Sequence, residues 1–111
     1  MNPPDAMPTI SVVVPVYNSE HSLTPLVERL KTVLAPRLAR LEIIMVNDAS
    51  RDGSWGVVEK LAREHAEVRG ISLLRNYGQH NALLCGIRAA TGEIIVTIDD
   101  DLQHPDRKSV V

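Results

Sequence analysis

Three carboxylates and an amide stand close together at Asp99-Asp100-Asp101-Leu102-Gln103, directly after the apolar, β-branched run Ile94-Ile95-Val96-Thr97-Ile98. The run predicts a strand buried on both faces of a parallel sheet. Acidic groups at the carboxyl end of such a strand lie where open α/β sheets hold their ligands. Adjacent anions repel one another and need positive charge among them. A divalent cation that prefers oxygen, Mg²⁺ or Mn²⁺, itself carrying a diphosphate, meets that need. The alternative is an acidic N-cap for a following helix.

The other polar residues with chemical capacity also follow apolar runs. Thr9–Val16 predicts the first strand, with Pro15, which lacks an N–H, ending its ladder; Tyr17-Asn18-Ser19-Glu20 is then the loop. Helix one carries Leu23, Leu26, Val27, Leu30, Val33 and Leu34 on one face, with Ser22 or Thr24 as cap, Pro25 in the first turn and Pro36 at its end. Leu41–Val46 is strand two, running into the polar Asn47-Asp48-Ala49-Ser50-Arg51-Asp52-Gly53-Ser54. Helix two presents Val57, Val58, Leu61 and Ala62, and strand three spans Val68–Leu74. Arg75-Asn76-Tyr77-Gly78 leads to helix three, about Gln79–Ala90, whose Ala82, Gly86, Ala89 and Ala90 permit a close approach to the sheet, with Gly92 as its stop. Strand–helix three times, then a strand, predicts an α/β fold of four parallel strands with crossover helices. All four strand ends then deliver their loops to one edge, where Tyr17, Glu20, Asp48, Asp52, Arg75, Asn76 and Asp99–Gln103 meet.

Composition narrows the function classes. The 111 residues carry a net charge of −2, without the basic patch or stripe of a nucleic-acid binder. Trp55, Tyr17 and Tyr77 are the aromatic residues, so the core must be aliphatic. Cys85 stands alone, which rules out an internal disulfide and suits a reducing compartment; its apolar helical setting reads as a small core residue. No run is long enough to span a membrane, and Met1–Met7 has neither the charge nor the apolar stretch of a signal peptide. Residues 1–8, with Pro3, Pro4 and Pro8, read as a disordered lead-in. The turn after strand one contains no glycine, so a dinucleotide fingerprint and a Walker loop are both absent. A bound nucleotide would have its phosphates held by metal rather than by a glycine-rich cradle. Asp48 suits hydrogen bonds from a base or ribose, and equally suits a cap or Asx turn. Arg75 adds positive charge near phosphates or is a solvated strand-end residue, and His80 reads as a polar residue at a helix start.

Five segments in order carry a resemblance. Val12-Val13-Val14-Pro15-Val16-Tyr17-Asn18, Val46-Asn47-Asp48-Ala49-Ser50-Arg51-Asp52-Gly53-Ser54, Arg75-Asn76-Tyr77-Gly78-Gln79-His80-Asn81-Ala82, Ala90-Thr91-Gly92-Glu93 and Asp99-Asp100-Asp101-Leu102-Gln103-His104-Pro105 resemble the family 2 glycosyltransferases, and within them the polyprenyl-phosphate branch. The resemblance covers residues 9–105 and implies the Rossmann-like nucleotide-sugar-binding half of a GT-A domain. It implies that Pro15, Tyr17, Asp48 and the base or ribose side of Asp99 hold the nucleotide. Asp99, Asp101 and Gln103 then hold the metal and diphosphate, with Asp101 the catalytic carboxylate and Asp100 at a variable position. Many relatives have Glu directly after Tyr-Asn; here Ser19 stands there and Glu20, next along, is expected to substitute.

The implied reaction transfers a sugar from a nucleotide-diphosphate sugar donor to a polyprenyl phosphate, with inversion and with Mg²⁺ or Mn²⁺, at the cytoplasmic face of a membrane. An ionised phosphate acceptor needs positioning more than a general base. A saccharide acceptor, or nucleotide-sugar binding without turnover, is the alternative. An unrelated doubly wound protein would place its acidic cluster after strand one, which here ends Pro-Val-Tyr. Asp106–Val111 departs from the family pattern and is expected to be a non-native tail, of the kind a sequencing-adapter read-through would encode. The expectation is an amino-terminal, donor-binding half with an exposed edge at its fourth strand.

Overall fold

A computed structural model describes residues 7–99. Its elements alternate: β1 (Thr9–Val16), α1 (Leu23–Leu34), a 3₁₀ turn at Ala35–Arg37, β2 (Arg40–Asn47), α2 (Ser54–Glu64), β3 (Val68–Ser72), α3 (Gln79–Ala89) and β4 (Ile94–Thr97). The strands form one sheet in the order β3-β2-β1-β4, and every pairing is parallel. The expected α/β architecture and its crossover helices are present.

The two faces bury different sets. Val12, Val14, Val16, Leu41, Ile43 and Met45 pack with Leu23, Leu26 and Val27 of α1 and Val58 and Leu61 of α2. Ile44 and Val46 pack with Ala82, Cys85 and Ala89 of α3 on the other face. Cys85 is thus the small, partly buried packing residue its setting predicts. Gly86 explains how α3 comes so close: a Cβ there would stand 2.3 Å from Val13 Cγ1.

Several local expectations are corrected. Strand β4 is not buried on both faces; Ile94, Ile95 and Val96 are 46, 41 and 37% exposed. Among the described residues β4 pairs with β1 alone, and α3 packs over β1 and β2. Pro15 does not end β1, because its residue pairs with Val46 and Val16 with Asn47. The ring lies on the β4 side, beyond the last bond of that ladder, Ile98 N–H to Val13 C=O, so the missing donor interrupts no bond between β1 and β2. Strand β3 stops at Ser72, with one further bond from Leu73 N–H to Asn47 C=O, and Leu74 is 97% exposed. Val33 faces solvent. Ser22 is the N-cap of α1, but its hydroxyl donates to the Ser19 carbonyl rather than capping. Helix α3 ends at Ala89; Gly92 serves close approach instead, since a Cβ would lie 2.7 Å from Ser11 N.

One buried carboxylate ties the amino end of the sheet. Glu42 is 4% exposed and accepts from Ser11 Oγ at 2.7 Å, Thr91 N at 3.0 Å, Thr91 Oγ1 at 3.2 Å and Arg69 Nη1 at 2.6 Å. Burial alone would raise its pKa; the hydrogen bonds from Ser11, Thr91 and Arg69 outweigh that and hold it at about 2, against an ordinary 4.5. A depressed carboxylate stabilises the fold above its unfolded pKa, and loses that contribution as pH falls through the folded one. The shift corresponds to about 3 kcal/mol at neutral pH. Glu42→Gln should therefore lower stability by roughly that amount at pH 7, and the gap to the parent should close between pH 4.5 and pH 2. Urea unfolding of both proteins across that range checks this; a gap that stays constant into acid would refute it.

Candidate active site

Because all four strands run the same way, their carboxyl ends share one edge. A cleft of about 530 Å³ lies there, lined from the β1–α1, β2–α2 and β3–α3 loops and from the residue after β4. Pro15, Tyr17, Glu20, Asp48 and Asp99 all reach it, so five of the expected donor residues share one space. Asn18, Asp52, Asn76, Gly78 and Gln79 line it as well. Asn18 and Gln79 were not signalled by residue type; the nearest clue was their place beside Tyr17 and Gly78. Arg75 is exposed and is not among the lining residues, and His80 is an exposed residue of the first turn of α3. Asp100, Asp101 and Gln103 lie outside the described residues.

Each wall is set by side chains bonding to backbone. Asp48 is 3% exposed. Its Oδ1 accepts from Tyr77 N at 2.7 Å and its Oδ2 from Gly78 N at 2.9 Å. Gly78 adopts φ 97°, a conformation that suits glycine. Asp48 therefore performs a capping-type role across loops, with both oxygens engaged at the cleft wall. Asp52 organises the start of α2: Oδ1 accepts from Ser54 N at 2.9 Å and from the Ser54 hydroxyl, and Oδ2 from Glu20 N at 3.3 Å. Burial pushes its pKa up, but these donors, Ser54 first, bring it below the ordinary value. Asn18, at φ 51°, and Ala49, at φ 57°, both adopt the left-handed region at the cleft mouth, a position Asn tolerates better than Ala.

The charge pattern constrains any ligand. Glu20, Asp48, Asp52 and Asp99 line the cleft, and among the described residues no lining residue is Lys or Arg. A diphosphate entering it meets repulsion unless a cation comes too. Among the described residues no three His, Cys, Asp or Glu gather to hold a metal. The expected donor set, Asp99 with Asp101 and Gln103, is all oxygen, which fits a hard divalent cation; Asp99 is its described member, and it stands in the cleft.

The family model described as glycosyl transferase family 2 matches residues 11–109. The chain belongs to glycosyl transferase family 2. Curated relatives in this family include undecaprenyl-phosphate 4-deoxy-4-formamido-L-arabinose transferases of Shewanella sediminis, 42% identical over 97 residues, and of Pseudomonas fluorescens, 40% identical. The matched part is 86% of this chain and 29% of each relative, so the chain spans under a third of their length. Among solved structures, a Pyrobaculum calidifontis mannosyltransferase in complex with GDP-Man and Mn²⁺ matches with a TM-score of 0.75 and 31% identity, covering 85% of this chain and 28% of that one. S. aureus TarS in complex with UDP matches with a TM-score of 0.74 and 30% identity, covering 84% and 27%. The four-stranded parallel sheet is thus the fold of the GT-A transferases. Among the described residues no helix is long and apolar enough to cross a membrane.

The bonds at Asp48 make a direct forecast for this family 2 fold. Asp48→Ala should strip Tyr77 N–H of its acceptor and leave Gly78 N–H with Asn76 Oδ1 at 3.0 Å alone, at a cost of about 2 kcal/mol, as for a buried bond to a charged group. Hydrogen exchange should accelerate selectively at Tyr77 and Gly78; unchanged exchange at both amides would show that the carboxylate does not hold the loop.

Proposed function

We propose that this chain is the donor-binding half of a transferase that moves a sugar from a nucleotide-diphosphate sugar to a polyprenyl phosphate of the undecaprenyl type. The observation that carries the reading is one cleft, shared by Tyr17, Asp48 and Asp99 in a family 2 fold, whose charged lining among the described residues is Asp and Glu without Lys or Arg. The names of the curated relatives support the lipid-phosphate acceptor and make 4-deoxy-4-formamido-L-arabinose the first sugar to test. The Mn²⁺ and GDP-Man of the mannosyltransferase support a divalent cation, Mg²⁺ or Mn²⁺, with the donor. Work at the cytoplasmic face of a membrane belongs to the same proposal.

The residue roles follow from chemistry. Tyr17, half exposed on the β1–α1 loop, offers an aromatic face to a base. Pro15 fixes the chain just before it. Asp48 shapes the opposite wall and keeps its second lone pairs for a ribose or base donor. Arg75, exposed on the β3–α3 loop and not among the lining residues, is assigned to the phosphates by its charge. Asp99, Asp101 and Gln103 are the residues that would hold the cation, which when bound neutralises charge building on the leaving phosphate. Inversion needs one displacement at the sugar C1, and an acceptor phosphate is already ionised at neutral pH. The protein's share is then alignment and exclusion of water rather than proton removal.

Calorimetry with a nucleotide sugar should show binding that requires Mn²⁺ or Mg²⁺. Asp101→Ala should weaken it by at least about tenfold, the scale of one lost ligand in a metal site. Equal donor affinity with and without the cation in folded protein would overturn the proposal.

A further inference from the structure

The β1–α1 and β2–α2 loops are joined by five hydrogen bonds. Asn18 N donates to Ser50 Oγ at 3.0 Å, Arg51 N to Asn18 Oδ1 at 2.9 Å, Ser19 N to Ser54 Oγ at 2.7 Å, Glu20 N to Asp52 Oδ2 at 3.3 Å, and Gly53 N to Glu20 Oε1 at 2.6 Å. Four of these use short side chains close to their own backbone. The Glu20 bond alone sends a long side chain across, and it is the shortest of the five. Gly53 is built for it: a Cβ there would stand 3.1 Å from Glu20 Oε1. The other carboxylate oxygen, Oε2, faces His21 Nε2 at 3.5 Å, and that histidine side chain is 94% exposed.

From this geometry we infer that Glu20 is a positioning residue: its carboxylate closes the latch between the two loops and so fixes the backbone that carries Tyr17, instead of binding donor or cation itself. Glu20 and Asp52 work as a reciprocal pair. Each carboxylate accepts from a backbone N–H of the other's loop, so their like charges are separated by polarised amides. Tyr17 lies three residues before Glu20 on the same turn, and Asn18 between them already occupies a left-handed conformation. Losing the Glu20 carboxylate therefore loosens the turn that carries this aromatic wall, while the four bonds of Asn18, Ser19 and Glu20 N and the sheet itself stay in place. The inference rests on the donor-site reading above.

Glu20→Gln keeps an oxygen acceptor for Gly53 N–H and removes the charge; Glu20→Ala removes both. With UDP and Mn²⁺ as probes, Glu20→Gln should bind within about twofold of the parent and Glu20→Ala about tenfold more weakly, the worth of one charge-assisted hydrogen bond. Exchange at the Gly53 amide should accelerate in Glu20→Ala and stay protected in Glu20→Gln. Equal weakening in both variants with Gly53 protection unchanged would make Glu20 a ligand and overturn the inference alone. Failure of the unmodified protein to bind UDP with Mn²⁺, or GDP with Mn²⁺, would overturn the donor-site reading, and the inference with it.

Discussion

The buried Glu42 carboxylate is the constraint on which the sheet's arrangement depends. It sits in β2 opposite Ser11 of β1, accepts from Arg69 of β3 and takes two bonds from Thr91 in the α3–β4 connection. A charge in this position would be expelled by burial if any donor were missing. Its partners come from the two flanking strands and a turn, so it is satisfied only when the parallel register is correct. Gly92 and Ser11 complete the junction, with Gly92 N donating to Ser11 Oγ at 2.8 Å. Strand β4, which among the described residues pairs with β1 alone and leaves Ile94, Ile95 and Val96 exposed, is thereby anchored at its start through polar bonds to β1 and Glu42.

Fixing the amino end this way leaves the carboxyl end to be shaped independently. There the chain uses side chains as backbone acceptors, in place of a glycine-rich turn. Asp48 holds the β3–α3 loop, while Asp52, Ser54, Asn18 and Glu20 join the other two. A glycine cradle turns its own amides toward a phosphate. Here amides at Arg51, Gly53, Ser54, Tyr77 and Gly78 are taken up by protein oxygens. Anion recognition by these loops is correspondingly reduced, which agrees with a cleft that presents carboxylates.

Strand and helix order was legible because it depends on periodicity: β-branched runs at Thr9, Leu41 and Val68, and apolar spacing in the helices, survive without knowledge of neighbours. The open edge at the fourth strand was expected from the family pattern; what periodicity could not convey was how little of that strand's faces the described residues cover. Ile94-Ile95-Val96 has the composition of a doubly covered strand, and burial there depends on sheet order, a long-range property. Pro15 shows the same limit. Its missing N–H matters only on one side of the strand, and periodicity does not say which. At the site, the type and loop of Tyr17, Asp48 and Asp99 were readable from their positions after strands. The use made of Asp48 was not, since capping and ligand contact demand the same residue type. Glu42 left no signal at all: a lone Glu in an apolar run reads as an interruption until its donors are placed around it.

The split between charge and ligand capacity accounts for the form of the site. Asp48 and Asp52 both give their carboxylate oxygens to backbone N–H groups of the loops around the cleft. Such carboxylates set the field of the cleft without surrounding an ion, because a six-coordinate cation needs ligands that can converge on it. Convergence is cheapest from closely spaced residues of one segment at a strand's end, where alternate side chains lie within reach of one point. Asp99, Asp101 and Gln103 have that spacing, and Asp99 enters the cleft from β4. On the proposed donor-site reading, the acids of the β1–α1 and β2–α2 loops would favour a cation-bound diphosphate over a bare one, and donor and ion would enter as one unit.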